Sequence, residues 1–267
     1  MIDPHKEMIN GCEFLMIPVE GGTFDMGSPD DDTEAYSYEK PKHRVALPGF
    51  YIGKYPVTQD LWKAVMSGEN PSDFEGDDHP VEQVSWDDIT KIFLPQLRRL
   101  SGLHYRLPTE AEWGYAARGG KYHTEGYKYA GSDRLKDVGW FDNNSEGETK
   151  PVGQKQPNQL GIYDMSGNVW EWCEDDWHNN YQNAPENGSA CINDPDRGTQ
   201  RVYRGGSWNN TARYCRVAGR HLGTPGNRYQ FLGFRLVLSL QADGRPVPAF
   251  QCATTKPLPT PMSFQDN

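Results

Sequence analysis

Apolar and polar positions change period every few residues along this chain, so short elements joined by turns are expected. Residues 14–28, FLMIPVEGGTFDMGS, set two short apolar runs around a Gly-Gly pair and read as a β-hairpin. After the acidic stretch PDDDTEAYSYEKPKH, the segment RVALPGFYIGKYPVT (44–58) reads as a second pair of strands. Helical spacing begins at Thr58, a cap for QDLWKAVMSG with Leu61, Trp62 and Val65 on one side. Ser85 and Asp88 form a capping box ahead of Ile89, Ile92, Phe93 and Leu97, with Pro95 bending or shortening that helix. Thr109 and Glu112 repeat the device, and Gly119-Gly120 supplies the stop. Two or three modest helices among short antiparallel strands make this an α+β, loop-rich chain.

From 121 to 235 turn residues dominate, and Trp140, Tyr163, Trp170, Trp172, Trp177, Trp208 and Phe234 are spaced to form an aromatic core. Residues 220–235, RHLGTPGNRYQFLGFR, are too broken for a helix and too polar for a buried strand. That stretch reads as a loop presenting His221, Leu222, Tyr229 and Phe231 to solvent, an exposed patch wanting a partner. On that reading, replacing Tyr229 and Phe231 together costs little stability. With no repeat or linker, one domain spans 1–240, and the Pro-rich, polar tail 241–267 reads as surface-draped or unstructured.

Composition sharpens this picture. The 267 residues include 8 Trp, 14 Tyr and 10 Phe but only 36% hydrophobic residues, with 28 Gly and 20 Pro. The core must therefore be aromatic and the connections many. A formal net charge of −10 opposes non-specific nucleic-acid binding and gives no support to attachment at an anionic membrane. No apolar run is long enough to span a bilayer. The first 20 residues lack a basic region followed by an apolar one, so no secretion signal is read, and the compartment and oligomeric state stay open. Five widely spaced cysteines give neither a disulfide framework nor a zinc motif, although a Cys173–Cys191 bridge is open in an oxidising compartment. The seven histidines fall at no i, i+4 spacing, and the acidic runs at 30–32 and 173–177 read as solvated loops.

GGTFDMGS, KYPVT, PVEQVSWDD, YRLPTEAEWGYAARGG, PVGQKQPNQLGIYDMSGNVWEWCEDDW, RVYRGGSW and LGFRLV occur in this order over residues 21–237. Together they closely resemble the formylglycine-generating-enzyme, or sulfatase-modifying-factor, family. The resemblance implies a C-type lectin-like fold. Family enzymes use two cysteines, but the slots here hold Val217 and a position near Ala212, with Cys215 alone nearby. Thiolate or copper chemistry needs an accessible sulfur pair, so no catalytic residue and no enzyme activity is expected. The alternative is an oxidase of the formylglycine-generating type, or a related enzyme, with a departed active site.

One group within the family is similar in detail: the variable proteins of diversity-generating retroelements, whose C-terminal Asn codons scatter to other residues. RGGSWNNTARYCRVAGRHLGTPGNRYQFLGFRLV, residues 204–237, keeps the fixed letters of that pattern. The divergent slots are Tyr214, Gly219, His221, Leu222, Gly223, Tyr229, Gln230 and Phe231, with Asn210 joining them as a candidate binding residue. All eight except Gln230 are types that an NNC codon can encode. An ordinary family member with an unremarkable loop is the competing reading. Gly219, Gly223 and Gly226 are expected at positive φ, and Arg204, Trp208, Arg216, Arg220 and Arg235 as framework whose guanidiniums hold loop carbonyls or stack on Trp rings.

The resemblance implies a ligand-binding protein whose partner is a protein or other surface molecule, for which surface display or secretion would suit. It requires no cofactor, and a structural calcium is the one it could carry: Glu171 through its side chain, Gly167 and Val169 through their carbonyls, with Asn168 assisting. The competing reading is that Glu171 pairs with an arginine.

Overall fold

The computed structural model describes residues 3–193, 197–241 and 244–249. Its first strands are β1 (His5–Ile9), β2 (Cys12–Val19), β3 (Gly22–Met26), β4 (His43–Leu47) and β5 (Phe50–Gly53). Later come β6 (Tyr105–Arg106), β7 (Trp170–Asp176), β8 (Arg201–Arg204), β9 (Arg220–Gly223), β10 (Leu232–Phe234) and β11 (Val237–Ser239). A five-stranded antiparallel sheet has the order β1-β2-β5-β11-β6. A second sheet runs β10-β7-β8-β9, in which β10 lies parallel to β7 and the other pairs are antiparallel.

The hairpin expected over 14–28 does not form: β2 pairs with β1 and β5, whereas β3 pairs with β4. The Gly-Gly pair marks a crossing, because a Cβ on Gly21 would stand 2.7 Å from the Leu47 carbonyl oxygen and 2.9 Å from the Gly49 nitrogen. Two connections pass each other there, and only a residue without a side chain lets the backbones approach so closely. The strands were legible; their partners were not.

Helix starts follow the sequence reading. In α1 (Gln59–Val65) the Leu61 amide donates to Thr58 Oγ1, and both halves of the Ser85–Asp88 capping box are made ahead of α2 (Trp86–Asp88). A π turn at Ile89–Phe93 then leads into α3 (Leu94–Ser101), with Pro95 in its first turn. Proline has no N–H to return to the preceding turn, and the widened turn absorbs that loss. Ile89, Phe93 and Leu97 are buried, but Ile92 rotates out to 45% exposure, against expectation. Next comes α4 (Glu110–Ala117), capped by Thr109 and Glu112 and buried on every side, with Gly119 and Gly120 at positive φ after it. A single turn, α5 (Leu135–Val138), completes the helices among the described residues.

One apolar cluster gathers α1, α3, Trp170, Trp172, Tyr203 and Phe234; another lies beneath α4. Trp170, Trp172, Trp208 and Phe234 are core, as expected, whereas Trp140, Tyr163 and Trp177 are half-buried. Described residues beyond 240 fold back, with the His104 amide donating to the Val247 carbonyl and Ala249 to Gly102; the rest of the tail, including Cys252, lies outside the described residues. Among the described residues no helix is long and apolar enough to cross a membrane.

Candidate functional site

The stretch 220–235 is not one loop. Its ends are the edge strands β9 and β10, and residues 224–231 bridge them across the sheet's end. Backbone pairing supplies what side-chain patterning hid: β9 is matched residue by residue to β8, with Tyr203 opposite His221 and Val202 opposite Leu222.

Beneath this segment lie four buried arginines, each with its own anchor. Arg204 Nη1 donates to the carbonyls of Ala218 and Gly219 at 2.8 and 2.7 Å, and its guanidinium lies over Trp113. Arg216 meets Glu39 at 2.6 and 2.9 Å. Arg220 pairs with Glu110 at 2.8 and 2.9 Å and lies over Trp177. Arg235 grips Glu171, whose Oε2 also accepts from Trp113 Nε1 at 2.7 Å. These forks fix the loop backbone as the sequence reading expected, and Trp208 Nε1 donates to the Gln230 carbonyl at 3.0 Å. The run CEDDW is no solvated loop: Asp175 and Asp176 are buried in β7, where Asp176 accepts from the Asn193 and Gly198 amides.

Above the framework, several variable-type positions come together. The His221 ring stacks on Tyr203 at 5.3 Å and packs against Trp170 at 5.9 Å. Tyr214 touches both Trp170 and His221 at 6.4 Å and stacks on Tyr36 at 5.8 Å. Tyr36 stacks in turn on Tyr38. Tyr229, 37% exposed, stacks on Phe231 at 4.9 Å; burial, and to a lesser degree Tyr229, raises the Tyr203 hydroxyl. Burial, then the Tyr214 hydroxyl, raises Tyr36, and burial pushes Tyr38 up to about 12. Raised in this way, the Tyr36, Tyr38 and Tyr203 hydroxyls stay protonated near pH 7.

Other candidates are placed differently. Gly219 and Gly223 are buried and do not join this surface. A Cβ on Gly219 would stand 2.6 Å from the Tyr214 carbonyl oxygen, and one on Gly223 would stand 2.8 Å from the Trp172 ring. Neither they nor Gly226 adopt positive φ; at 219 and 223 glycine serves close packing instead. Phe231 is half-buried against the main core cluster, so it is no free tip. Leu222 is half-buried within β9, Gln230 is exposed, and Asn210 is tied into its turn by Ser207 Oγ at 2.8 Å. Trp170, Tyr203, Tyr36 and Tyr38 were missed, because the sequence separates them from the variable stretch and only the sheet and the 29–43 segment bring them back.

Among the described residues no sulfur pair lines this surface. Cys12, Cys173, Cys191 and Cys215 are free thiols, so the Cys173–Cys191 bridge is not formed. Burial lifts all four, Cys191 to about 11 and Cys12 to about 12, away from thiolate character. Val217 is itself buried, in the cluster beneath α4.

Of the residues proposed for calcium, Glu171 pairs with Arg235 through both oxygens, which is the competing reading of that residue. Asn168 is occupied at both ends of its amide by Lys150, so it does not assist. Glu171 Oε1 accepts one bond from Arg235 and keeps a second lone pair. Asp164, which the sequence reading passed over, has a buried Oδ1 without a partner, while Oδ2 accepts from the Gly153 amide. Burial, opposed by that bond and reinforced by the nearby Glu171, pushes Asp164 up to about 6. An unpartnered buried carboxylate oxygen beside a second carboxylate is what a hard cation relieves. No cluster of three or more His, Cys, Asp or Glu suited to a metal occurs among the described residues, so carbonyl oxygens would have to complete the shell.

The model of the sulfatase-modifying factor enzyme 1-like domain matches residues 9–240. Chaperone protein LppX of Paenibacillus barcinonensis is 35% identical over 242 residues, covering 72% of this chain and 78% of that protein. The formylglycine-generating enzyme of Thermomonospora curvata is 30% identical over 294 residues, covering 82% of this chain and 92% of the enzyme. Among solved structures, Treponema denticola variable protein 1 superposes with a TM-score of 0.77 at 30% identity, covering 89% of this chain and 99% of that one.

Proposed function

This chain belongs to the sulfatase-modifying factor enzyme 1-like family, with its α+β, C-type lectin-like fold, and we propose that it binds a ligand and catalyses nothing. One observation carries the proposal. Half-buried Tyr214 and His221 pack over the buried rings of Trp170 and Tyr203, and exposed Tyr229 stacks on Phe231, above a framework of arginines paired to carboxylates or holding backbone carbonyls. Rigid rings give large contact area with few rotatable bonds to freeze, and a fixed base lets the outward side chains differ without disturbing the core. The resemblance to variable proteins supports this reading, and so do thiols held far from their reactive form. The partner is a protein or other surface molecule.

Two measurements test it. Immobilised protein should retain members of a displayed random-peptide library. Tyr229→Ala should cut the affinity of a retained peptide about tenfold while costing under about 1 kcal/mol of stability, as an exposed ring stacked on one neighbour does. Incubation with a cysteine-containing sulfatase peptide and copper should yield no aldehyde by mass spectrometry. Turnover there would sink the proposal.

Calcium belongs to the same proposal as a structural ion. Asp164 and the free lone pair of Glu171, which stays paired with Arg235, would hold it with the carbonyls of Gly167 and Val169, relieving the unpartnered Asp164 oxygen. Saturating calcium should raise Tm by several degrees, since a ligand at about 100 times its Kd adds about 2.7 kcal/mol. Asp164→Ala should abolish that increment. An unchanged Tm on adding calcium to chelator-treated wild-type protein would exclude the ion.

A further inference from the structure

The aromatic surface does not end with the C-terminal stretch. Tyr36 and Tyr38 extend it through Tyr214, and Tyr38 packs edge-on against Trp177. Contacts that fasten the acidic 29–43 segment there include Arg216 to Glu39, Arg213 Nε to the Glu34 carbonyl, Arg220 Nη1 to the Tyr38 carbonyl, and the Arg213 guanidinium 3.9 Å from the centre of the Tyr36 ring. The last contact shows a ring of this surface already accepting a guanidinium on its face.

Charge around the rings leans negative, with three unpaired aspartates against the single unpaired Arg213 among the described residues. Asp31 lies in the segment that carries Tyr36. The Asp142 amide donates to the carbonyl of Asn210. Asp73 accepts from Gln83 Nε2, and the Gln83 amide donates to the Tyr229 carbonyl. All three aspartates are exposed, and none has an ion-pair partner among the described residues. Among nearby cations Arg228 pairs with Asp88, Lys128 with Glu34 and Arg216 with Glu39, while exposed Arg213 lies over Tyr36 without a carboxylate partner among the described residues.

Resting on the binding function proposed above, we infer that the partner presents arginine or lysine side chains to this surface, as a basic protein segment. Ring faces attract guanidinium and ammonium groups, the rim aspartates supply the counter-charge, and the net charge of −10 steers such a segment inward. An acidic or uncharged segment would leave three carboxylates unmatched or repelled.

Panning a displayed random dodecapeptide library against the protein tests the inference. Selected peptides should be enriched several-fold in Arg and Lys. A synthetic peptide from that set should bind about tenfold more weakly to the triple variant Asp31→Asn, Asp73→Asn, Asp142→Asn, and should weaken steeply with added NaCl. The three positions are exposed, and an unchanged Tm would show that the variant folds. Peptides that need Tyr229 yet show no basic enrichment, or that ignore the triple variant, overturn the charge inference and leave the binding surface standing. Failure to select any peptide overturns both.

Discussion

Replacing Arg235 with alanine should lower unfolding stability by about 3–5 kcal/mol in urea titration, because it strands a buried carboxylate. Arg235 and Glu171 are both fully buried, and the guanidinium also donates to the carbonyls of Gly53 and Tyr163 at 2.8 Å. One side chain thus ties β10's end to β7, to the central strand β5 and to the turn before Asp164. Arg235→Ala would leave Glu171 with only the Trp113 indole and would free two carbonyls in a space closed to water. Replacing both Arg235 and Glu171 with methionine should cost less than Arg235→Ala alone, since two apolar side chains leave no charge unpaired. A loss below about 1 kcal/mol for Arg235→Ala would mean that the pair does not hold the framework.

Gly219→Ala should cost about 2–3 kcal/mol and lower Tm by several degrees. The added Cβ would meet the backbone oxygens of Tyr214 at 2.6 Å and of Arg216 at 3.1 Å, neither of which can swing aside as a side-chain tip can. Arg204 holds the Gly219 carbonyl from the opposite side at 2.7 Å, so the loop has little room to move. Tyr214 would be displaced with its carbonyl, and peptide binding should fall in parallel. If a near-copy of the coding stretch for 204–237 exists, differing at adenines, its differences should fall at codons 214, 221, 222, 229 and 231 and spare 219 and 223. Wild-type stability for Gly219→Ala would restore that position to the variable set.

Local signals were legible. Helix starts at Thr58, Ser85 and Thr109 were readable because a cap bonds an amide two or three residues away, and the information lies within one turn. Framework arginines were readable as a class through the ordered blocks, and Glu171 as an arginine's partner was the competing reading, though Glu39 and Glu110 were not readable as carboxylate partners. Ile92 was misplaced because regular spacing assumes a regular helix, and the π turn before Pro95 breaks that assumption.

The recognition surface divides in the same way. The chain alone determined a loop-rich α+β domain, a buried aromatic core, the family, and a C-terminal stretch holding His221, Tyr214 and Tyr229. Only the tertiary structure decided which of those positions face outward, because exposure depends on what packs behind each residue. Glycine 219 and glycine 223 are spacers against a carbonyl and an indole, and Phe231 leans on the core. Strand pairing brought Trp170 and Tyr203 beside His221, and the Arg216–Glu39 pair fastened Tyr36 and Tyr38 against Tyr214. Contacts between residues some 180 positions apart leave no periodicity along the chain, since they are selected by the shape of the folded surface.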